Sequence, residues 1–396
     1  MNYFKKIIYN YRAILFFALF VFNAQFSWSQ LSNLEQRCLW VVRESMVTSQ
    51  DIDSLMIHAY ESGYDIIFAQ VRGRGDAYYE SELVNKQKNI DEYFDPLDYA
   101  IKVGHSLGLE VHAWVNTYIL WSSKWKPYDK DHLYHTKQEW TEADINGKMD
   151  WRINLSVPQS PQWEGIYLSP LHPEVNNYLI SIFDEIITRY DIDGLHLDYI
   201  RFQDEFYGYN PYGREKFKEQ YNIDPRDIAR GIISTRFGWE QSFVDSMQYS
   251  WNKFRQDAVT ELVESLRINI NAKDKKIKLS AAVKPNLLEA KSRWYQDWSV
   301  WLKQDLLDFA VPMNYFKDIR DFNNSILIMK DNLGKKDLDK IIMGIATYNQ
   351  DAQSSADKIL LTRLNGFKGV SVFSYDSHKN NLDWFKPVIE AFGEQF

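Results

Sequence analysis

The segment Asp191-Ile192-Asp193-Gly194-Leu195-His196-Leu197-Asp198-Tyr199-Ile200-Arg201 gathers the groups of this chain best placed to do chemistry. Read as a strand, its period-two alternation puts His196 and Asp198 on one face, with Leu195 and Leu197 on the other. A carboxylate ending such a strand is partly desolvated and has a cation, Arg201, three residues on. The pairing reads in two ways: a carboxylate held ready as nucleophile or acid/base, or a structural ion pair. His196 reads equally as a proton donor or as a neutral, hydrogen-bonded orienting group.

Acetal hydrolysis normally needs a second carboxyl. Asp76, in the glycine-rich run Arg72-Gly73-Arg74-Gly75-Asp76, is the first choice, although such an Asp also serves to cap its own loop. Glu164, Asp297 and Asp376 are weaker alternatives. Other chemistries lack their signatures. The Arg72–Gly75 run misses the third glycine of a dinucleotide fingerprint, there is no phosphate loop, and no Ser stands on a nucleophile elbow. His132 and His135 have no third ligand nearby in sequence, and Asp144-Ile145-Asn146-Gly147 is too short for a calcium loop. Neither a metal nor an organic cofactor is expected.

The elements that must position these groups alternate along the chain. Apolar runs at 38–43, 65–71, 110–115, 194–198, 278–283, 309–313, 341–345 and 369–373 read as eight strands. Amphipathic stretches between and after them read as helices, with Gly63 and Gly108 as stops. The strands are short and nearly all apolar, as when both faces are covered. Eight strand–helix units predict an α/β fold, a closed (β/α)8 TIM barrel with long inserted loops after strands 3 and 4. Its site then lies where the strands end. That rule selects Arg72, Trp114, Asn116, His196, Arg201, Asn314 and Tyr315 as candidate substrate-binding residues around Asp198. The 116–172 loop carries Trp121, Trp125, Trp140, Trp151 and Trp163. It reads as an aromatic wall of the site, or as a hairpin about Asn146-Gly147 that merely packs on the barrel.

The N-terminus has a basic start (Lys5, Lys6, Arg12), an apolar run (Ile14–Phe22) and small residues at Ala24, Ser27 and Ser29. That order is a secretory signal peptide, predicted as residues 1–29, ahead of a single domain over 30–396. Its removal would take the formal net charge from −8 to −11. So acidic a protein is a poor partner for nucleic acid; the apolar run is too short to span a bilayer comfortably, and no stable membrane insertion is expected once the leader is cleaved. One cysteine excludes an internal disulfide framework.

Six motifs then match one known family in order. They are Gln70-Val71-Arg72-Gly73-Arg74-Gly75-Asp76-Ala77, Phe94-Asp95-Pro96-Leu97, Gly108 to Asn116, His172-Pro173-Glu174-Val175, Tyr190 to Tyr199, and Val311-Pro312-Met313-Asn314-Tyr315. Together they resemble the glycosyl hydrolase-like 10 family. The resemblance implies a glycosidase-superfamily barrel, often exported, with some members acting on peptidoglycan glycan strands. Tyr199 stands where many relatives carry a second Asp, and Ser169-Pro170 where many carry Asp-Pro. The chain is also similar to chitinase-type barrels, but Ile200 occupies the position of their catalytic acid. The expectation is an exported glycoside hydrolase of cell-wall or environmental polysaccharide. The alternative is a catalytically silent barrel that binds glycan.

Overall fold

A computed structural model describes residues 31–157, 163–273 and 275–393. Eight strands form the barrel: β1 (Gln36–Val41), β2 (Ile66–Arg72), β3 (Glu110–Asn116), β4 (Gly194–Asp198), β5 (Lys278–Val283), β6 (Phe309–Pro312), β7 (Ile342–Ala346) and β8 (Gly369–Phe373). All neighbouring pairs are parallel, in the order β6-β5-β4-β3-β2-β1-β8-β7. Bridges from Ala310 to Ile341 and from Met313 to Gly344 bring β6 against β7 and close the ring. The barrel expected from the alternation is therefore the fold.

The helices begin where local chemistry says they should. In α1 (Ser49–Glu61) the Thr48 hydroxyl accepts from the Asp51 amide at 3.2 Å. In α2 (Pro96–Ser106) the Asp95 carboxylate takes the amides of Leu97 and Asp98, with Pro96 set in the first turn. Each cap satisfies amides that the helix itself leaves free. The helix α3 (Pro173–Arg189) buries Val175, Leu179, Ile182, Phe183, Ile186 and Ile187, one stripe at helical spacing.

Alternation along the strands separates two cores. Leu39 and Val41 point outward into the layer shared with the helices, while Cys38 and Trp40 point into the barrel beside Phe68, Trp114 and Val311. Trp40 fits because Gly344 stands opposite. A Cβ there would lie 2.6 Å from the Pro312 carbonyl and 3.3 Å from the Trp40 ring. Removing the Trp40 indole would leave a central cavity, at a cost of about 3–5 kcal/mol.

Two segments differ from the simple pattern. After β4, short helices at Pro211–Tyr221 and Pro225–Ala229 lead into one 31-residue helix, Gln241–Asn271, where the apolar spacing predicts a helix only from about Trp251 to Ile268. After β3, Ile119–Trp121 pairs antiparallel with Ile166–Tyr167. The turn at Asn146-Gly147 forms, with Gly147 at φ 83° and Ala143 bridged to Met149, but no long hairpin extends from it. Its flanks go to other partners, Thr141 to Leu168 and Asp144 to Tyr207. The expected signal peptide, residues 1–29, lies outside the described residues. Among those described, no helix is long and apolar enough to cross a membrane.

Candidate active site

Where the strands end, a cavity of about 660 Å³ opens over the barrel, and Asp198 lies in its lining. The sequence puts it there directly: β4 is all buried, and Asp198 is its last residue. Tyr199 then turns into the left-handed region at φ 51°, uncommon for a side chain of its size, and its amide folds back to donate to Asp198 Oδ1 at 2.7 Å. Trp114 Nε1 donates to Oδ2 at 3.2 Å. Burial pushes the Asp198 carboxyl up to about 6, against the opposing pull of the Tyr199 amide and of Arg201. A carboxyl so tuned gives and takes a proton near neutral pH.

Arg201 does not hydrogen-bond Asp198. Its Nη2 donates to Glu164 Oε2 at 2.7 Å, and the Tyr167 hydroxyl donates to the same oxygen at 2.7 Å. Lys284 Nζ lies 4.0 Å from Glu164 Oε1. Burial would raise the Glu164 carboxyl, but Arg201 and Lys284 outweigh it and hold it down at about 2. Lys284 falls to about 8 through burial and the neighbouring Arg201. The cavity thus holds two carboxyls pushed in opposite directions, the pattern that separates a proton donor from a fixed anion.

The structure brings together only part of the predicted set. Trp114, Asn116, Asp198, Arg201 and Tyr315 line the cavity. Asn116 also donates to the Gly73 carbonyl at 2.9 Å and accepts from Gln70 at 3.3 Å. Four others fall elsewhere. Asp76 faces a separate cavity, its carboxylate taken by the amides of Gly73 and Arg74 and by Gln87 Nε2. That is a loop-capping arrangement. Arg72 is buried and donates to the Asn116 and Thr117 carbonyls, tying the end of β2 to that of β3. Asn314 is buried and donates to the Phe322 carbonyl at 3.0 Å, anchoring α4 (Ile319–Asn332).

His196 lies below the cavity, stacked on Phe68 with ring centroids 4.0 Å apart. Trp40 Nε1 donates to its Nε2 at 3.2 Å, so its proton is on Nδ1, directed at Ser280 Oγ 2.9 Å away. Burial drives its pKa well below the usual value, with His112 adding to the effect, and the ring is a neutral brace. Of the weaker alternatives, Asp297 pairs with Lys291 at 2.8 Å, and Asp376 accepts from the Val42 amide at 2.7 Å and from Ser45.

Arg43, Lys284 and Tyr348, at the ends of strands 1, 5 and 7 where the strand-end rule looks, also line the cavity, as do Trp40 and Trp294, which the sequence reading passed over. The alternation that selects Asp198 also runs Cys38–Trp40–Val42 and could have found Trp40. None of the five loop tryptophans lines this cavity. Trp140 is buried with its indole on Glu174 at 3.0 Å, and Trp121 faces the cavity of Asp76. The loop contributes Ile119, Ser122 and Glu164 instead.

The family model for glycosyl hydrolase-like 10 matches residues 34–359, which include the cavity from β1 through the end of β7. The chain belongs to the glycosyl hydrolase-like 10 family. It is 22% identical over 347 residues to the glycosyl hydrolase YngK of Bacillus subtilis, covering 79% of this chain and 60% of that one. It is 23% identical over 317 residues to the glycosyl hydrolase DigH of Escherichia coli, covering 76% of this chain and 66% of that one. The chain thus spans 60% and 66% of the lengths of these two relatives, less than two thirds of either. Among solved structures, the PgaB (BpsB) glycoside hydrolase domain from Bordetella bronchiseptica superposes with a TM-score of 0.66 at 12% identity, covering 91% of this chain and 99% of that domain. The family is thus glycosyl hydrolase-like 10 and the fold a TIM barrel.

Proposed function

We propose that this protein is an exported glycoside hydrolase that cleaves a bacterial cell-wall glycan, or an environmental polysaccharide, with Asp198 as its proton carrier. One observation carries the reading. Asp198 lies in an open cavity at the strand ends, pushed up to about 6, while Glu164 in the same cavity is held down at about 2. A protonated Asp198 would protonate the leaving glycosidic oxygen. The ionised Glu164 would stabilise the cationic sugar or draw a proton from the attacking water. Trp114, Tyr315 and Trp294 offer apolar faces for sugar rings, and Asn116 and Arg43 offer polar contacts. The basic, apolar and small-residue order of residues 1–29 supports export.

A second reading rests on Glu164 itself. Its contacts with Arg201, Tyr167 and Lys284 are also those of a structural ion pair. A barrel in which Glu164 does nothing more would bind glycan without cutting it. The test is release of new reducing ends from peptide-free peptidoglycan strands and from neutral polysaccharides. Cleavage by the unmodified protein, abolished in Asp198→Asn, is the expected result. Binding of strands without any release would establish the silent barrel.

A further inference from the structure

We propose that a groove beside the Asp198 cavity is a second binding site, one that grips a carboxylate-bearing stretch of polysaccharide outside the reaction centre. The groove, about 620 Å³, is lined by Lys124, Lys126 and Arg152 together with Trp125 and Trp151, and among the described residues no Asp or Glu lines it. Among the described residues none of the three cations has an ion-pair partner. This runs against the trend of the chain, in which 54 acidic residues outnumber 46 basic ones. A carboxylate-free pocket with three cations therefore selects an anion.

The aromatic groups say what kind of anion. Trp125 is 68% exposed, so it contributes little to the core. Lys124 Nζ stands 5.5 Å from the Trp125 ring centre and the Arg152 guanidinium carbon 4.9 Å from that of Trp151. A flat apolar face beside a cation suits a sugar ring carrying a carboxylate: the ring stacks and the charge pairs. A small inorganic anion would use the cations and leave both indoles idle.

One loop contributes to both the groove and the cavity. Ser122 lines the Asp198 cavity, and Lys124 and Trp125 line the groove. Trp121 Nε1 donates to the Trp125 carbonyl at 2.7 Å and fixes the turn between them. A strand long enough to reach from one to the other gains the groove's contacts, so the groove favours long chains over short ones. The polymer's identity rests on the glycosidase reading; the groove's charge and shape do not.

The test measures binding in Asp198→Asn protein, with long and tetrasaccharide fractions of peptide-free peptidoglycan strands, whose lactyl groups carry carboxylates. Trp125→Ala/Trp151→Ala and, separately, Lys124→Gln/Lys126→Gln should each weaken long-strand binding about tenfold or more. Tetrasaccharide binding should stay as it was. Blocking the carboxylates as amides should cost the parent protein the same preference. If both groove variants hold long strands as tightly as the parent, or if blocking the carboxylates changes nothing, the proposal fails. An unmodified protein that binds long strands through the groove but never cleaves them would sink the glycosidase reading alone.

Discussion

Asp198 and Asp76 are equally buried, each 7% exposed, and each sits at the end of a barrel strand or on the loop that follows it. Their surroundings differ in kind. Asp76 receives two backbone amides and Gln87, with Arg43 nearby. Burial would raise its carboxyl, but Arg43 and those hydrogen bonds bring it below the ordinary value. Asp198 receives one backbone amide and one indole, and burial wins. Burial alone therefore does not mark a reactive carboxyl. What marks it is burial left only partly answered by donors, in a cavity that a substrate can enter.

The largest effect that would break this contrast is at Asp198. Asp198→Asn should cut turnover by roughly a thousandfold or more, the scale of a lost acid–base catalyst. Its stability should move the other way. The folded carboxyl holds its proton more tightly than the unfolded one, so its contribution to stability is full below about pH 4. That contribution is lost as pH rises through about 6. Above that pH the buried charge costs about 3 kcal/mol, which Asn does not incur. The variant should melt higher than the parent at pH 8 and no higher at pH 4. A lower melting point at pH 8 would make Asp198 the ion partner of Arg201 after all. For the same reason the parent's kcat/KM should fall as pH climbs past about 6.

Glu164→Gln should come next, with a loss of activity of about a hundredfold or more if its charge takes part in the reaction. Arg201, almost fully buried, would lose its ionised partner, and stability should drop by about 1–3 kcal/mol. Melting curves beside initial rates separate the two: a loss of rate no larger than the unfolded fraction would leave Glu164 only a structural role. Asp76→Asn should do least to catalysis. Its lowered carboxyl contributes stability above the unfolded value near pH 4, lost as pH falls through the folded one. The variant should thus be about 1–3 kcal/mol less stable at pH 7, converge with the parent in acid, and turn over substrate at nearly the parental rate. Loss of turnover in a folded Asp76→Asn protein would restore it to the reaction.

The barrel was legible because its strands are short apolar runs set off by glycines and caps. β4, β5 and β8 fall at their predicted bounds. The long helix was half legible, since Gln241–Ser250 buries only Met247 and so lacks the regular buried stripe that runs on from Trp251. Asp198 could be read because strand alternation gives a side chain's direction. Glu164 could be read only as one of three weaker alternatives, because it lies in an irregular segment whose position depends on the distant pairing of Ile119–Trp121 with Ile166–Tyr167. The loop tryptophans could not be placed for a related reason. Composition reports how many indoles a segment carries and nothing about which way each one points.

That same pairing bears on how the molecule fails when heated. Asp198 arrives on a central barrel strand flanked by β3 and β5, whereas Glu164 arrives beside a two-residue strand in a two-stranded ribbon. Short ribbons open at lower free energy than barrel strands. The amides of Ile166 and Tyr167 should therefore exchange with deuterated solvent well before those of Leu195 and Leu197. Warming should then part the two carboxyls, and extinguish activity, several degrees before the barrel itself melts.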